Sequence, residues 1–281
     1  MLIGNPMIFR ELPLEAALRQ TQALGFDALE LWPPQIAACR TDALRRQLAE
    51  HCAGLGLPLV RLNAAGADYF GPWETPASGA QFLDGLKRDI DAAAALGMGE
   101  VLTWEGRAPA GATERDIFGW VLDESVKLFR AATDYARARG MRLSVEVHPF
   151  TLGIDLRFLD ALMAGVGADD FGVTYDCCHF GVGLPHSYVP AISALGPRLH
   201  HVHFCDSDQV SAELHFPPGR GRLDLDGIVA ALRGIGFRGS LMLDLWLYPL
   251  PEAGARIGVP YARRVMDALS LPPTRPQRQE R

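Results

Sequence analysis

The chain has 281 residues, 48% of them hydrophobic and 21% charged, which suits a folded protein with a large core. Its formal net charge of −6 excludes a broadly basic nucleic-acid surface, because duplex binding needs clustered Lys and Arg. No apolar run is long enough to span a membrane, and five cysteines without framework spacing read as reduced thiols in a cytoplasmic protein.

Strand-like and helix-like patterns alternate along the whole chain. MLIGNPMIFRELP has too short an apolar part and no basic start for a signal peptide, and its Leu2–Gly4 reads as a first strand. Ala28–Trp32, Pro58–Asn63, Glu100–Trp104, Leu143–Val147, Gly172–Asp176, Leu199–Phe204 and Leu241–Leu245 read as the others. Between them LPLEAALRQTQALG, DALRRQLAEHCAGLG, QFLDGLKRDIDAAAALG, GWVLDESVKLFRAATDYARARG, DLRFLDALMAGV and LDGIVAALRGIG repeat apolar residues at helical spacing. Gly25, Gly56, Gly97, Gly140 and Gly236 sit where left-handed caps would turn the chain back to the sheet. Such βα units predict a single (β/α)8 TIM barrel over residues 1–270, followed by a disordered Pro- and charge-rich tail over 271–281. The alternative is a doubly wound open sheet, which the missing Gly-rich fingerprint after the first strand disfavours. Two loops are long, Asn5–Pro13 and Ala64–Gly79. The second carries Tyr69, Phe70 and Trp73 and reads as either a substrate lid or a packing loop.

Four consecutive strand patterns end in a polar residue: Glu146 in RLSVEVH, Asp176 in FGVTYDCCH, His203 in LHHVHFCD and Asp244 in SLMLDLWL. Strand alternation lets all four point inward together. Three carboxylates at one barrel mouth would repel one another, and a divalent cation removes that cost. The oxygen-rich set favours Mn2+, with Mg2+, Co2+ or Zn2+ also accommodated. His179 follows Asp176 by three residues and can reach back over the site. His148 and His201 lie near it, and Cys177, Cys178 and Cys205 read as packing. Trp32, Phe70, Trp73, Trp104 and Trp246 fall near strand ends and suit either an apolar substrate wall or a barrel plug.

These segments resemble the xylose isomerase-like barrels of the sugar phosphate isomerase/epimerase superfamily, which includes ketose 3-epimerases, inosose isomerases and dehydratases, and apurinic endonucleases. GMRLSVEVH resembles the segment carrying a catalytic, metal-bound Glu, and VTYDCCHF resembles a D-x-x-H segment of ligand Asp and substrate-contacting His. HVHFCD resembles an H-x-H-x-x-D segment whose second His is a ligand, and FPPGRGRLDLDGIVAALRGIGFRGSLMLDLW leads into the last ligand. That last position holds Asp244 where the family usually has Glu. The resemblance implies metal ligands Glu146, Asp176, His203 and Asp244. It also implies substrate contact by His179 and His215; with His148, inward by register, Trp104, near a strand end, and Arg220, these are the substrate-binding candidates. Glu213 and His215 match a D-x-H loop of the endonucleases, but Asn63 and Trp104 stand where a three-metal nuclease would need histidines.

The implied activity is isomerisation or epimerisation of a sugar or keto-polyol, without phosphate. Glu146 would abstract a proton alpha to a chelated carbonyl to give an enediolate, and Asp244 would be the second acid/base. A lyase or dehydratase would use the same first step, with His179, His148 or His215 as the acid over the leaving group. A non-catalytic or partner-dependent barrel is the third reading. No nucleic-acid or membrane partner is expected, and a homo-oligomer is compatible with the fold.

Overall fold

The computed structural model describes residues 1–64, 73 and 76–270. The strands are β1 Leu2–Gly4, β2 Ala28–Leu31, β3 Leu59–Asn63, β4 Glu100–Thr103, β5 Arg142–Glu146, β6 Phe171–Asp176, β7 Leu199–Phe204 and β8 Ser240–Leu243. They pair in parallel and in chain order. β8 returns to β1, with Leu2 opposite Leu241 and Ile3 opposite Met242, so the sheet closes into the predicted barrel and is not an open one. Around it lie α1 Leu14–Leu24, α2 Asp42–Gly54, α3 Pro76–Ala95, α4 Leu122–Arg137, α5 Leu156–Val166, α6 Tyr188–Leu195, α7 Leu225–Gly234 and α8 Pro251–Ser270. The cap expected at Gly25 is present: its φ is 81° and its amide donates to the Gln22 carbonyl as α1 ends. Tyr69, Phe70 and the tail over 271–281 fall outside the described residues, as does most of the loop over 64–79. No helix among the described residues is long and apolar enough to cross a membrane.

Two kinds of packing follow from strand alternation. Outward residues such as Leu29, Val145, Val173 and Val202 pack with helix residues such as Phe129 and Phe158 in one core cluster. Inside the barrel, Ile3, Ala28 and Met242 form a small apolar cluster. Much of the remaining interior is polar: Glu30, Arg61, Glu100, Ser144, Thr174 and His201 are all buried. Arg61 Nη2 donates to Glu100 Oε2 at 2.8 Å, and Arg61 Nη1 lies 3.6 Å from Glu30 Oε2. Burial pushes the Glu100 carboxyl up, but Arg61 and Arg142 beside it outweigh burial and hold it below the usual range.

One loop is built around a buried carboxylate. Asp206, just beyond β7, accepts from the amides of Ser207, Gly219, Gly221 and Leu223 at 2.8–3.0 Å. A Cβ at Gly221 would lie 2.3 Å from Asp206 Oδ1, so only glycine fits this wrap. The GRG segment therefore shapes the loop. Arg220 between the glycines is exposed and is not among the cavity-lining residues.

Candidate metal centre and substrate cavity

The ends of β5, β6 and β7 carry Glu146, Asp176 and His203, with Asp176 directly opposite His203 in the ladder. All three are buried, and each offers one ligand atom within 4.8 Å of the other two. His203 Nδ1 lies 2.7 Å from Glu146 Oε1 and 3.7 Å from Asp176 Oδ2. Asp176 also caps the short helix Cys177–Gly183, because its Oδ1 accepts from the His179 amide at 2.8 Å. That bond fixes the carboxylate and sets His179 beside it in one step.

Asp244 departs from the expected strand. β8 stops at Leu243, and Asp244 Oδ1 accepts from the Trp246 amide at 2.9 Å, which turns the chain out of the sheet. Its Oδ2 still reaches the cluster, 3.7 Å from His203 Nδ1. Donors sharing one metal lie roughly 3–4 Å apart when the bonds are about 2.1 Å, so Glu146, Asp176 and His203 suit one coordination sphere and Asp244 borders it at His203.

The donor chemistry calls for a cation. Asp176 Oδ2, His179 Nδ1 and His215 Nδ1 are buried without hydrogen-bond partners, although buried polar atoms are rarely left so. Burial, only partly offset by His215, raises the Asp176 carboxyl above its ordinary range, and Asp244 adds to the rise. Burial alone would lower His203, but Glu146 and Glu30 outweigh it and hold the imidazole well above its usual range. An Asp, a Glu and a His with a further Asp in reach fit a divalent ion of oxygen-loving character.

Glu30 is a residue beside the cluster that the sequence reading missed. It is fully buried, and its Oε2 lies 3.4 Å from His203 Nε2 and 3.8 Å from His201 Nε2. A carboxylate behind the far nitrogen orients the imidazole and leaves Nδ1 for the cluster. A signal existed in the sequence, a Glu inside the apolar run ALELW.

Above the cluster lies a cavity of about 360 Å3, lined by Glu146, His203, Asp244 and His179 among others. Trp32, Trp104 and Trp246 form an aromatic wall, with the Trp32 and Trp246 rings 4.8 Å apart. Trp73 lies apart from them, buried, with its indole N–H donating to the Glu105 carbonyl. Glu213 enters from the β7–α7 loop and accepts from Trp246 Nε1 at 2.9 Å. His148 Nε2 is 2.9 Å from its other oxygen, and this hydrogen bond draws the Glu213 carboxyl down to about 2. Burial pushes His179 down to about 3 despite nearby Glu146, so it presents a neutral imidazole. The structure thus brings Glu146, Asp176, His203, Asp244, His179 and Trp104 to one place. It sets His148 and His215 in the wall behind, and it leaves Arg220 outside.

Comparison with known proteins accords with this architecture. Fructoselysine 3-epimerase of Shigella flexneri is 24% identical over 247 residues, spanning 84% of this chain and 86% of its own. A D-psicose 3-epimerase from Clostridium cellulolyticum H10, solved with D-tagatose, has a TM-score of 0.77 at 17% identity, covering 95% of this chain and 99% of its own. The IOLI protein, solved with a bound zinc atom, gives 0.77 at 19% identity over 96% and 98% of the two chains. The structural likenesses establish the shared fold. The model of the xylose isomerase-like TIM barrel family matches residues 18–265, and the chain belongs to that family.

Proposed function

We propose that the protein is a divalent-metal-dependent isomerase or epimerase of a ketose or keto-polyol, working by proton transfer at the carbon alpha to the carbonyl. The observation that carries this reading is that Glu146 and His203 belong both to the acidic cluster and to the wall of one cavity, where Asp244 reaches to 3.7 Å from His203. Relatedness to a fructoselysine 3-epimerase supports the same reaction class. The bound ion, Mn2+ by preference for an oxygen-rich set, would supply polarisation of the substrate carbonyl and its neighbouring hydroxyl.

The protein's own groups do the rest. Glu146 faces the cavity and takes the alpha proton. Protonated Glu146 can return the proton to the neighbouring carbon, which gives isomerisation; in epimerisation Asp244, recharged with a proton from water, delivers it to the other face of the carbon that lost one. Burial would raise Asp244, but His215 outweighs it and keeps the carboxyl far below its usual range, so Asp244 is ionised before that proton arrives and serves as the base when the reaction runs in reverse. Neutral His179 donates a hydrogen bond to a substrate oxygen. The indoles of Trp32, Trp104 and Trp246 cover a C–H-rich sugar face and exclude water. The lyase alternative needs a general acid over the leaving group. Of its three candidate histidines only His179 lines the cavity, and a group titrating near 3 is a poor acid at neutral pH. The five free thiols suit a cytoplasmic setting.

Incubation with Mn2+ in deuterated water across a panel of ketoses, fructosamines and inososes tests the reading. One solvent deuteron should enter the carbon alpha to the carbonyl, with no other change of mass, and Glu146→Gln should abolish this. Loss of water from the product would convert the assignment to a dehydratase. No exchange with any substrate in metal-loaded protein would remove it.

A further inference from the structure

We infer that His215 is a fifth protein donor to the metal centre, completing a set of two imidazoles and three carboxylates. The inference rests on the metal centre proposed above and extends it to a residue outside the cavity wall. His215 is buried, and its Nδ1 lies 3.1 Å from Asp244 Oδ2 and 3.8 Å from Asp176 Oδ2. Nδ1 makes no well-formed hydrogen bond, although both carboxylates lie beside it. The other ring nitrogen, Nε2, lies 3.2 Å from the Ala212 carbonyl, which can only accept. Nε2 therefore carries a proton, and Nδ1 faces two carboxylate oxygens. A buried nitrogen between two carboxylates needs positive charge on it, a proton or, in its place, a metal ion.

His203 shows the same arrangement: Nδ1 toward the carboxylates, and Nε2 toward an acceptor, Glu30. An acceptor behind the far nitrogen is the usual mark of a ligating imidazole. His179, by contrast, lines the cavity, and its Nδ1 lies 3.7–3.8 Å from Glu146 and Asp176. The placement of His215 is built into the fold. Its amide donates to the Trp246 carbonyl at 3.0 Å, and Phe216 pairs with Asp206 in a two-residue bridge. Cys178 also lies near Asp176 and His215, but its thiol donates to Ser207 Oγ at 3.3 Å and faces loop carbonyls, so it does not make a separate centre with them.

The test is proton NMR of the Co2+-loaded protein. Each imidazole bound through Nδ1 gives one hyperfine-shifted, solvent-exchangeable Nε2–H signal. Two signals are expected in the wild type, two in His179→Gln and one in His215→Gln, and Co2+ should bind His215→Gln about tenfold or more weakly. A single signal in the wild type overturns the assignment even if His215→Gln fails to fold. Two signals that persist in His215→Gln also overturn it. Failure of Co2+ to bind the wild type at all would remove the metal centre itself, whereas a single signal removes only His215 from it.

Discussion

Glu30→Gln isolates the electrostatic contribution of a carboxylate that never touches the cavity. Its Oε2 is 3.4 Å from His203 Nε2, fully buried, and opposite the nitrogen that faces the cluster. Glutamine keeps an oxygen for the Nε2 proton, so the tautomer survives and only the charge is lost. Arg61 loses a carboxylate at 3.6 Å but retains Glu100 at 2.8 Å, which limits the structural cost. Loss of an outer partner behind a ligating histidine weakens metal binding roughly 10–100-fold. With the hydrogen bond kept, the lower end applies, about 1.4 kcal/mol. Glu30→Leu removes the acceptor as well and leaves a buried N–H unpaired, adding about 1–3 kcal/mol of instability. Calorimetric titration with Mn2+, paired with urea unfolding of the metal-free proteins, separates the two effects. A Gln variant within twofold of the wild-type Kd, or a Leu variant no less stable than the Gln one, would refute the tether.

Burial pushes the Glu105 carboxyl up to about 7 against the pull of its bonds from Thr151 and the Gly153 amide. The folded state then holds a proton that the unfolded state releases above its ordinary 4.5, so stability falls as pH rises between those values. Glu105→Gln should match the wild type near about pH 4 and exceed it by roughly 3 kcal/mol near pH 8, read by urea unfolding, and parallel profiles would contradict the burial argument. Gly221→Ala places a methyl 2.3 Å from Asp206 Oδ1 and 2.4 Å from the Ser207 carbonyl. It should cost about 2 kcal/mol or more in Tm-derived stability and weaken Mn2+ binding through the His215 loop, and an unchanged Tm would show that the Asp206 wrap is slack. Carboxylates, against the effect of burial, hold both His203 and His215 well above the usual imidazole range. Metal binding near neutral pH should therefore release on the order of two protons, measured by calorimetry in buffers of differing ionisation heat; release near zero would mean that neither imidazole gives up its proton.

The barrel was legible because each βα unit carries local signals: apolar alternation, helical spacing, and glycine at the turn back. The cluster was legible because carboxylates and an imidazole at strand ends have no local structural use. Glu30, Arg61 and Glu100 escaped for the opposite reason. Each sits within an apolar run, in ALEL, LVRLN and EVLT, and what makes it tolerable is a partner on a neighbouring strand 31–42 positions away. Pairing across a barrel follows from register, which no single strand encodes. The loop residues were misjudged because their positions depend on the Asp206 wrap. That wrap sends Arg220 to solvent and His215 inward, although the two are only five residues apart.

A chain of alternating charge runs up the barrel: Arg142, Glu100, Arg61, Glu30, His203 and Glu146, each within 2.7–3.6 Å of the next. Each buried charge in this chain thus has an opposite neighbour, as burial requires. At the top the alternation ends in excess acid, with Asp176 and Asp244 beside Glu146. A cation there continues the pattern that the strands already impose, so its position is set by rigid sheet residues from below. The opposite wall is different in origin, because Trp246, Glu213 and His179 come from the segments after β8, β7 and β6. Substitutions among those segments can alter which substrate fits while the charge ladder holds the centre in place, which is how one barrel supports many specificities.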